Sequence, residues 1–139
     1  MNNEGTSLFV KNSELLARFI TSSKWFRPSN QTVKQDAFIP HPYPDLSVTR
    51  HKSLSKQEIW KVGQEISDAR PATLYGRADI SAEDVRKQKL SVEPRPVPEN
   101  LNHACILGWP RDKPAQKVLA LELAAVAHFV LKPANVAGI

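Results

Sequence analysis

The chain has 139 residues, of which 41% are hydrophobic and 24% are charged, and its formal net charge is +5 at pH 7. These values exclude a fibrous or wholly disordered chain and are typical of a single globular domain over residues 1–139. The positive charge permits an acidic partner, but the Lys and Arg residues include no run of five, so a dedicated nucleic-acid arm is not indicated.

The single cysteine, Cys105, cannot form a disulfide within the chain, which is typical of a reducing compartment. The first residues lack the basic region of a signal peptide, and the most apolar stretch, 115–131, contains Glu122 and His128. We therefore predict a cytoplasmic protein with no membrane partner.

The first part of the chain is predicted to contain a helix and a long extended arm. Residues 1–12 form a flexible polar lead-in, and residues 13–20 form a short helix with its apolar side chains on one side. Residues 21–45 lack a sustained period and contain several prolines, which favours an extended arm with a short strand at 37–40.

The middle of the chain has clearer boundaries. Residues 46–50 alternate apolar and polar side chains, as a half-buried strand does. Ser55 and Glu58 have the spacing of a capping box, which predicts a helix over 56–69. A strand interrupted by Gly76 follows, and Ser81 is placed to cap a second, shorter helix.

The last third is predicted to consist of two strands and the longest helix. Prolines after residue 93 place the strand at 90–93 on a sheet edge, and a buried strand follows at 103–107. Asp112 caps a helix over 115–131. The complete order predicts an α+β fold, in which a small mixed or antiparallel sheet packs against the helices 56–69 and 115–131.

One carboxylate stands out in the last helix. Helical winding places Glu122 among Val118, Ala125 and Val126, on the side predicted to be buried. A buried carboxylate needs a partner, and Arg50, Arg77 or His103 are the candidates. The contact is either a structural ion pair or part of a polar pocket, because ionisable groups with perturbed pKa values gather at functional sites.

Three sets of residues are candidates for chemistry. The catalytic candidates are Arg50, His51, Arg77, His103 and Glu122. The candidates for contacts to phosphate or nucleic acid are Lys56, Lys61, Arg86, Lys87, Lys89, Arg111, Lys113 and Lys117. The histidines and Cys105 show no recognised metal-ligand spacing, so we predict neither a metal nor a cofactor.

Several short motifs resemble a family of small, uncharacterised bacterial proteins. They are Phe38-x-Pro40, Leu46-Ser47-Val48-x-Arg50, Ile59-Trp60-x-x-Gly63, Leu74-Tyr75-Gly76-Arg77-Ala78-Asp79 and His103-Ala104-x-Ile106-x-Gly108-Trp109-Pro110. The resemblance spans residues 15–132 and implies one intact domain and a bacterial source. It implies no activity, ligand or site residue.

The favoured functional hypothesis is a small, non-enzymatic binding module or accessory subunit that acts through a macromolecular partner, more readily a protein than nucleic acid. One alternative is a nucleotide- or phosphate-processing enzyme with an Arg/His/Glu pocket. The other is a sequence-independent nucleic-acid binder.

Overall fold

Residues 9–41 and 44–134 are described by a computed structural model of the chain. Its strands are β1 (Leu15–Ile20), β2 (Phe26–Arg27), β3 (Thr32–Val33), β4 (Leu46–Arg50), β5 (Gly76–Ser81), β6 (Ser91–Pro94), β7 (His103–Leu107) and β8 (His128–Leu131). Its α-helices are α1 (Lys56–Ala69), α2 (Ala82–Lys87) and α3 (Lys113–Val126). Two 3₁₀ turns lie at Ser23–Trp25 and Gln35–Phe38.

Six strands form one antiparallel sheet in the order β6-β7-β4-β1-β5-β8, and β2 pairs with β3 in a separate hairpin. The sheet is covered on both faces. Ala17 and Phe19 of β1 pack with Ile59 and Trp60 of α1 on one face. Leu16 and Ile20 belong to the larger core on the other face, which includes residues of α2 and α3. The predicted α+β class is confirmed, and the sheet is antiparallel.

Local signals in the sequence located α1 correctly. Ser55 Oγ accepts a hydrogen bond from Glu58 N at 3.1 Å, and Glu58 Oε1 accepts one from Ser55 N at 2.7 Å. This reciprocal capping box satisfies two backbone donors at the start of the helix. The prediction of a helix over 56–69 is therefore confirmed.

The predicted helix at 13–20 is wrong, because these residues form the central strand β1. Their apolar side chains fit either a helical stripe or a strand that is buried on both faces. Six residue pairs join β1 to β5, and both faces of β1 are covered. The strand therefore satisfies its backbone and buries Leu16, Ala17, Phe19 and Ile20. The predicted strand at 37–40 is also replaced, by the 3₁₀ turn Gln35–Phe38.

Of the lead-in predicted at residues 1–12, residues 1–8 lie outside the described residues. Val10 is buried in the larger core, and its carbonyl accepts a hydrogen bond from Arg86 Nη2 at 2.5 Å. The chain just before β1 is thus attached to α2.

The last helix begins as predicted but ends early and buries a different side. Asp112 caps it by accepting a hydrogen bond from Ala115 N at 3.1 Å. It ends at Val126 because Ala127 has an extended backbone, and the chain continues as edge strand β8 beside β5. The buried residues are Gln116, Ala120, Leu123 and Ala124. Apolar residues occur on every side of α3, so periodicity alone could not select the buried one.

The contact between α1 and β1 depends on a glycine. A Cβ atom added at Gly63 would lie 2.5 Å from Cε1 of Phe19. We expect Gly63→Ala to lower the free energy of unfolding by about 1–2 kcal/mol, because overpacking outweighs the higher helix propensity of alanine. Chemical denaturation measures this. Lys61→Ala, at an exposed position of the same helix, is the control; a Gly63→Ala variant as stable as the control would show that α1 does not approach β1 this closely.

Candidate functional site

Arg50 contacts the carboxylate of Glu14 and not that of Glu122. Arg50 Nε donates to Glu14 Oε1 and Nη2 donates to Oε2, both at 2.9 Å, and the two side chains are 5% and 10% exposed. Burial by itself would raise the pKa of Glu14, but hydrogen bonds from Arg50 and from the backbone of Lys11 hold it below its ordinary value. This pair joins the residue before β1 to the end of β4.

Arg77 and His51 meet on the opposite face of the sheet through Asp79. Arg77 Nε lies 3.1 and 3.2 Å from the two carboxylate oxygens, and His51 Nε2 lies 2.9 Å from Oδ1. An ionised carboxylate only accepts hydrogen bonds, so Nε2 of His51 carries a proton. The Arg77 guanidinium lies 4.6 Å from the centroid of the Trp60 ring, which covers it from the side of α1.

His103 serves as a link between β7 and its neighbours. Its Nδ1 lies 2.8 Å from the carbonyl oxygen of Arg95, and its Nε2 lies 3.2 Å from Ser47 Oγ. A carbonyl can only accept, so Nδ1 is the donor; in the neutral ring, Nε2 then accepts from the serine hydroxyl. Both ring nitrogens are therefore used within the fold. Cys105, on the same strand, is buried, and burial raises the pKa of its thiol.

Glu122 is exposed on α3, so the prediction that it enters the core is wrong. The buried side of the helix is the one occupied by Ala120, Leu123 and Ala124, and Glu122 lies outside it. The five catalytic candidates consequently lie at four places: Arg50 on one face of the sheet, His51 with Arg77 on the other, His103 on β7, and Glu122 on the surface.

The predicted phosphate-binding cations are divided between the two sides of the molecule. Lys56 and Lys61 lie on α1, whereas the other six lie on or next to α2 and α3, across the sheet. Three of the six also have partners in the fold, and one of them is Lys87, whose Nζ lies 3.8 Å from Asp84 Oδ1. Arg86 donates to Asn12 Oδ1 at 2.6 Å, and Lys113 Nζ donates to the Pro40 carbonyl at 2.9 Å.

The first of two sizeable concave regions is the α3 groove, of about 740 Å³, between the C-terminal half of α3 and the β2–β3 hairpin. Its apolar wall is formed by Leu121, Ala125 and Phe129, and its opposite wall includes the cations Arg27 and Lys34. Leu121 is 52% exposed. The groove thus combines an open apolar surface with positive charge.

The second region is the Arg18 pocket, of about 670 Å³, at one end of the sheet. Its walls include Arg18, Ser22, Trp25, Ser47 and Arg70. The guanidinium of Arg18 lies 5.0 Å from the centroid of the Trp25 ring. Volumes of this size are within the usual range for small-molecule sites.

No protein-family model, curated protein or solved structure matches this chain. Over residues 9–41 and 44–134, no helix combines the length and apolarity needed to cross a membrane, and the His, Cys, Asp and Glu side chains form no group of three suited to a metal ion. A functional assignment therefore depends on the side chains and cavities of the chain itself.

Sequence reasoning missed Glu14 and Asp79, which pair with the candidate arginines, and Arg18, which lines the second pocket. Asp79 lies two positions after Arg77 on β5, so strand alternation puts both on one face; this signal was present and would have identified the pair. Arg18 stands alone among apolar residues, and the predicted helix over 13–20 gives it no special environment, whereas strand β1 places it beside β4. No pattern in the sequence joins Glu14 to Arg50, because the two are 36 positions apart.

The pair of Glu14 and Arg50 gives a prediction for stability against pH. The folded-state pKa of Glu14 is lowered, so its contribution is complete above the unfolded-state pKa and is lost as the pH falls through the folded-state value. At neutral pH, Glu14→Gln should lower the free energy of unfolding by roughly 2 kcal/mol. The difference from wild type should shrink below about pH 4.5.

Denaturation at a series of pH values measures this difference. Glu65→Gln changes an exposed carboxylate on α1 and is the control, expected to stay within about 0.5 kcal/mol of wild type at neutral pH. A Glu14→Gln difference that stays constant or grows on acidification would contradict the assigned ion pair.

Proposed function

We propose that this protein is a non-enzymatic binding module that docks a partner protein on α3 and the adjoining α3 groove. The observation that carries this proposal is the exposure of large apolar side chains on a helix that packs against the core. Val118 is 61% exposed, Leu121 52% and Val126 53%. Leaving such groups in water forgoes the favourable free energy of burying them.

The exposed groups form a continuous surface. Val118, Leu121 and Ala125 follow one another at intervals of three and four residues, which places them along one side of the helix. Leu121 and Ala125 also line the α3 groove, so the helix surface continues into it. A partner segment lying along α3 would therefore contact both.

The charges around this surface indicate the chemistry of the partner. Arg27 and Lys34 line the groove together with one carboxylate, Asp36. Lys117 is exposed on α3 one turn before Leu121, and Glu122 is the nearby carboxylate on the helix. Cations exceed carboxylates here, as they do in the whole chain, whose net charge is +5. The partner we propose presents a segment with apolar and acidic side chains.

The other hypotheses have less support in the geometry. A phosphate-processing pocket would need Arg50, His51, Arg77, His103 and Glu122 to converge, but they lie apart. A nucleic-acid surface would need its cations on one side, but they are divided by the sheet. We also propose a cytoplasmic location, which the single buried cysteine supports.

Replacing the apolar groups should separate binding from stability. Val118→Ser combined with Leu121→Ser removes the apolar surface without changing charge. Both side chains are exposed, so the free energy of unfolding should change by no more than about 0.5 kcal/mol per site. Lys61→Ser, on α1 across the sheet, is the matched control.

Each variant is used as a tagged bait in lysate of the source organism, with a photoreactive side chain at Ala125. We expect wild type and Lys61→Ser to be crosslinked to the same protein at an acidic, apolar segment, and the double variant to lose it. Equal capture by all three baits would contradict the proposal. So would a concentration-dependent dimer that the double variant abolishes, since the surface would then bind a second copy of this chain.

A further inference from the structure

We propose that the Arg18 pocket binds an oxyanion, a phosphate or carboxylate, carried on a flat aromatic group of a small molecule. This site is separate from the docking surface on α3 and does not depend on it. The inference begins with the way in which the fold holds Arg18.

Arg18 lies where two strands of the sheet separate. β1 and β4 pair only at Leu16 with Arg50 and at Ala17 with Thr49. At the next position the Arg18 side chain lies between the strands and donates to two backbone carbonyls. Its Nε donates to the Ala37 carbonyl at 2.8 Å, and its Nη1 donates to the Ser47 carbonyl at 3.1 Å. Two carbonyls from different segments thus fix the plane of the guanidinium.

The second terminal nitrogen of Arg18 is left for a ligand. Within the described part of the chain, Nη2 has no acceptor, and it is not sealed from solvent. The guanidinium lies over the Trp25 ring, which restricts its movement further. A fixed guanidinium with an open donor edge is suited to an oxyanion, which accepts hydrogen bonds in the plane of the group.

The charge of Arg18 is not compensated by a carboxylate. The described residues contain no ion pair of Arg18 or of Arg70, which lines the same pocket. Burial, and then the positive charge of Arg70, lower the pKa of Arg18 to about 10, so it remains protonated at neutral pH. Asp45 also lines the pocket, but it is paired with Arg95 at 2.6 Å. Asp36 is the other carboxylate on the wall.

The remaining walls indicate the body of the ligand. Trp25, Ile39, Leu46 and Ala72 provide apolar surface, and Thr21 provides a hydroxyl that can donate to an oxygen. An aromatic ring lying against these residues would direct its oxyanion to Arg18 and Arg70. An oxyanion between the two guanidinium groups would offset the repulsion between Arg18 and Arg70.

Isothermal titration with phenyl phosphate, benzoate and inorganic phosphate tests the proposal on the full chain. We expect saturable binding of at least one aromatic anion, tighter by about tenfold than that of inorganic phosphate. The stronger of the two aromatic probes distinguishes a phosphate from a carboxylate. Absence of saturation by both at about 10 mM, equivalent to a binding free energy weaker than about 3 kcal/mol, would overturn the site.

The variants separate the pocket from general attraction by a basic protein. Arg70 is exposed and its side chain makes no hydrogen bond or ion pair within the described residues, so Arg70→Gln should fold normally and weaken binding about tenfold. Arg111→Gln, an equal loss of charge at an exposed site outside the pocket, should bind as wild type does. Equal weakening by the two variants would overturn the assignment. Arg18→Lys, with folding verified by circular dichroism, should bind at least as weakly as Arg70→Gln.

Discussion

Three neighbouring strands of the sheet, β4, β1 and β5, each carry an arginine on a face that other elements cover. Each of these charges needs hydrogen-bond acceptors or a carboxylate there. Arg50 of β4 is paired with Glu14, and Arg77 of β5 is paired with Asp79. Arg18 of β1 has carbonyl acceptors but no carboxylate among the described residues. A charge away from water without a carboxylate partner is costly. Arg18 is therefore the exception among the three arginines.

The fold accommodates the arginines by covering both faces of the sheet. α1 closes over Arg77 through Trp60, and the segment before β1 closes over Arg50 through Glu14. At Arg18 the strands separate and a pocket remains. We therefore propose binding at two surfaces. The Arg18 pocket has positive charge without a carboxylate partner, and α3 has exposed apolar side chains.

The parts of the fold that sequence reasoning predicted are those with local signals. The capping box at Ser55, the cap at Ser81 and the alternation over 46–50 each involve residues within a few positions of one another. The strand at 46–50 is present, although it is covered on both faces and is not half-buried. β1 and α3 are apolar on more than one side, so their sequences fit several environments and only tertiary packing selects one. The same reason explains why Glu122 was placed inside. Its helix has two apolar sides, and the larger core packs against the other one.

The partners of the candidate arginines could not be predicted from the sequence. For an ion pair, Arg50 and Arg77 are candidates only as partners of Glu122, whereas their own carboxylates come from a residue 36 positions away and from the same strand. The Arg18 pocket is formed by β1, both 3₁₀ turns, β4 and the end of α1. No spacing in the sequence relates these segments to one another.

The most direct test of the Arg18 pocket is nitrogen-15 NMR of the arginine side chains during titration with phenyl phosphate. We predict that the guanidinium signals of Arg18 shift progressively and saturate, while those of Arg50 and Arg77, held by Glu14 and Asp79, stay in place. Equal shifts at all three arginines, or a shift at Arg50 or Arg77 without one at Arg18, would contradict the claim that Arg18 alone among them is available to an anion.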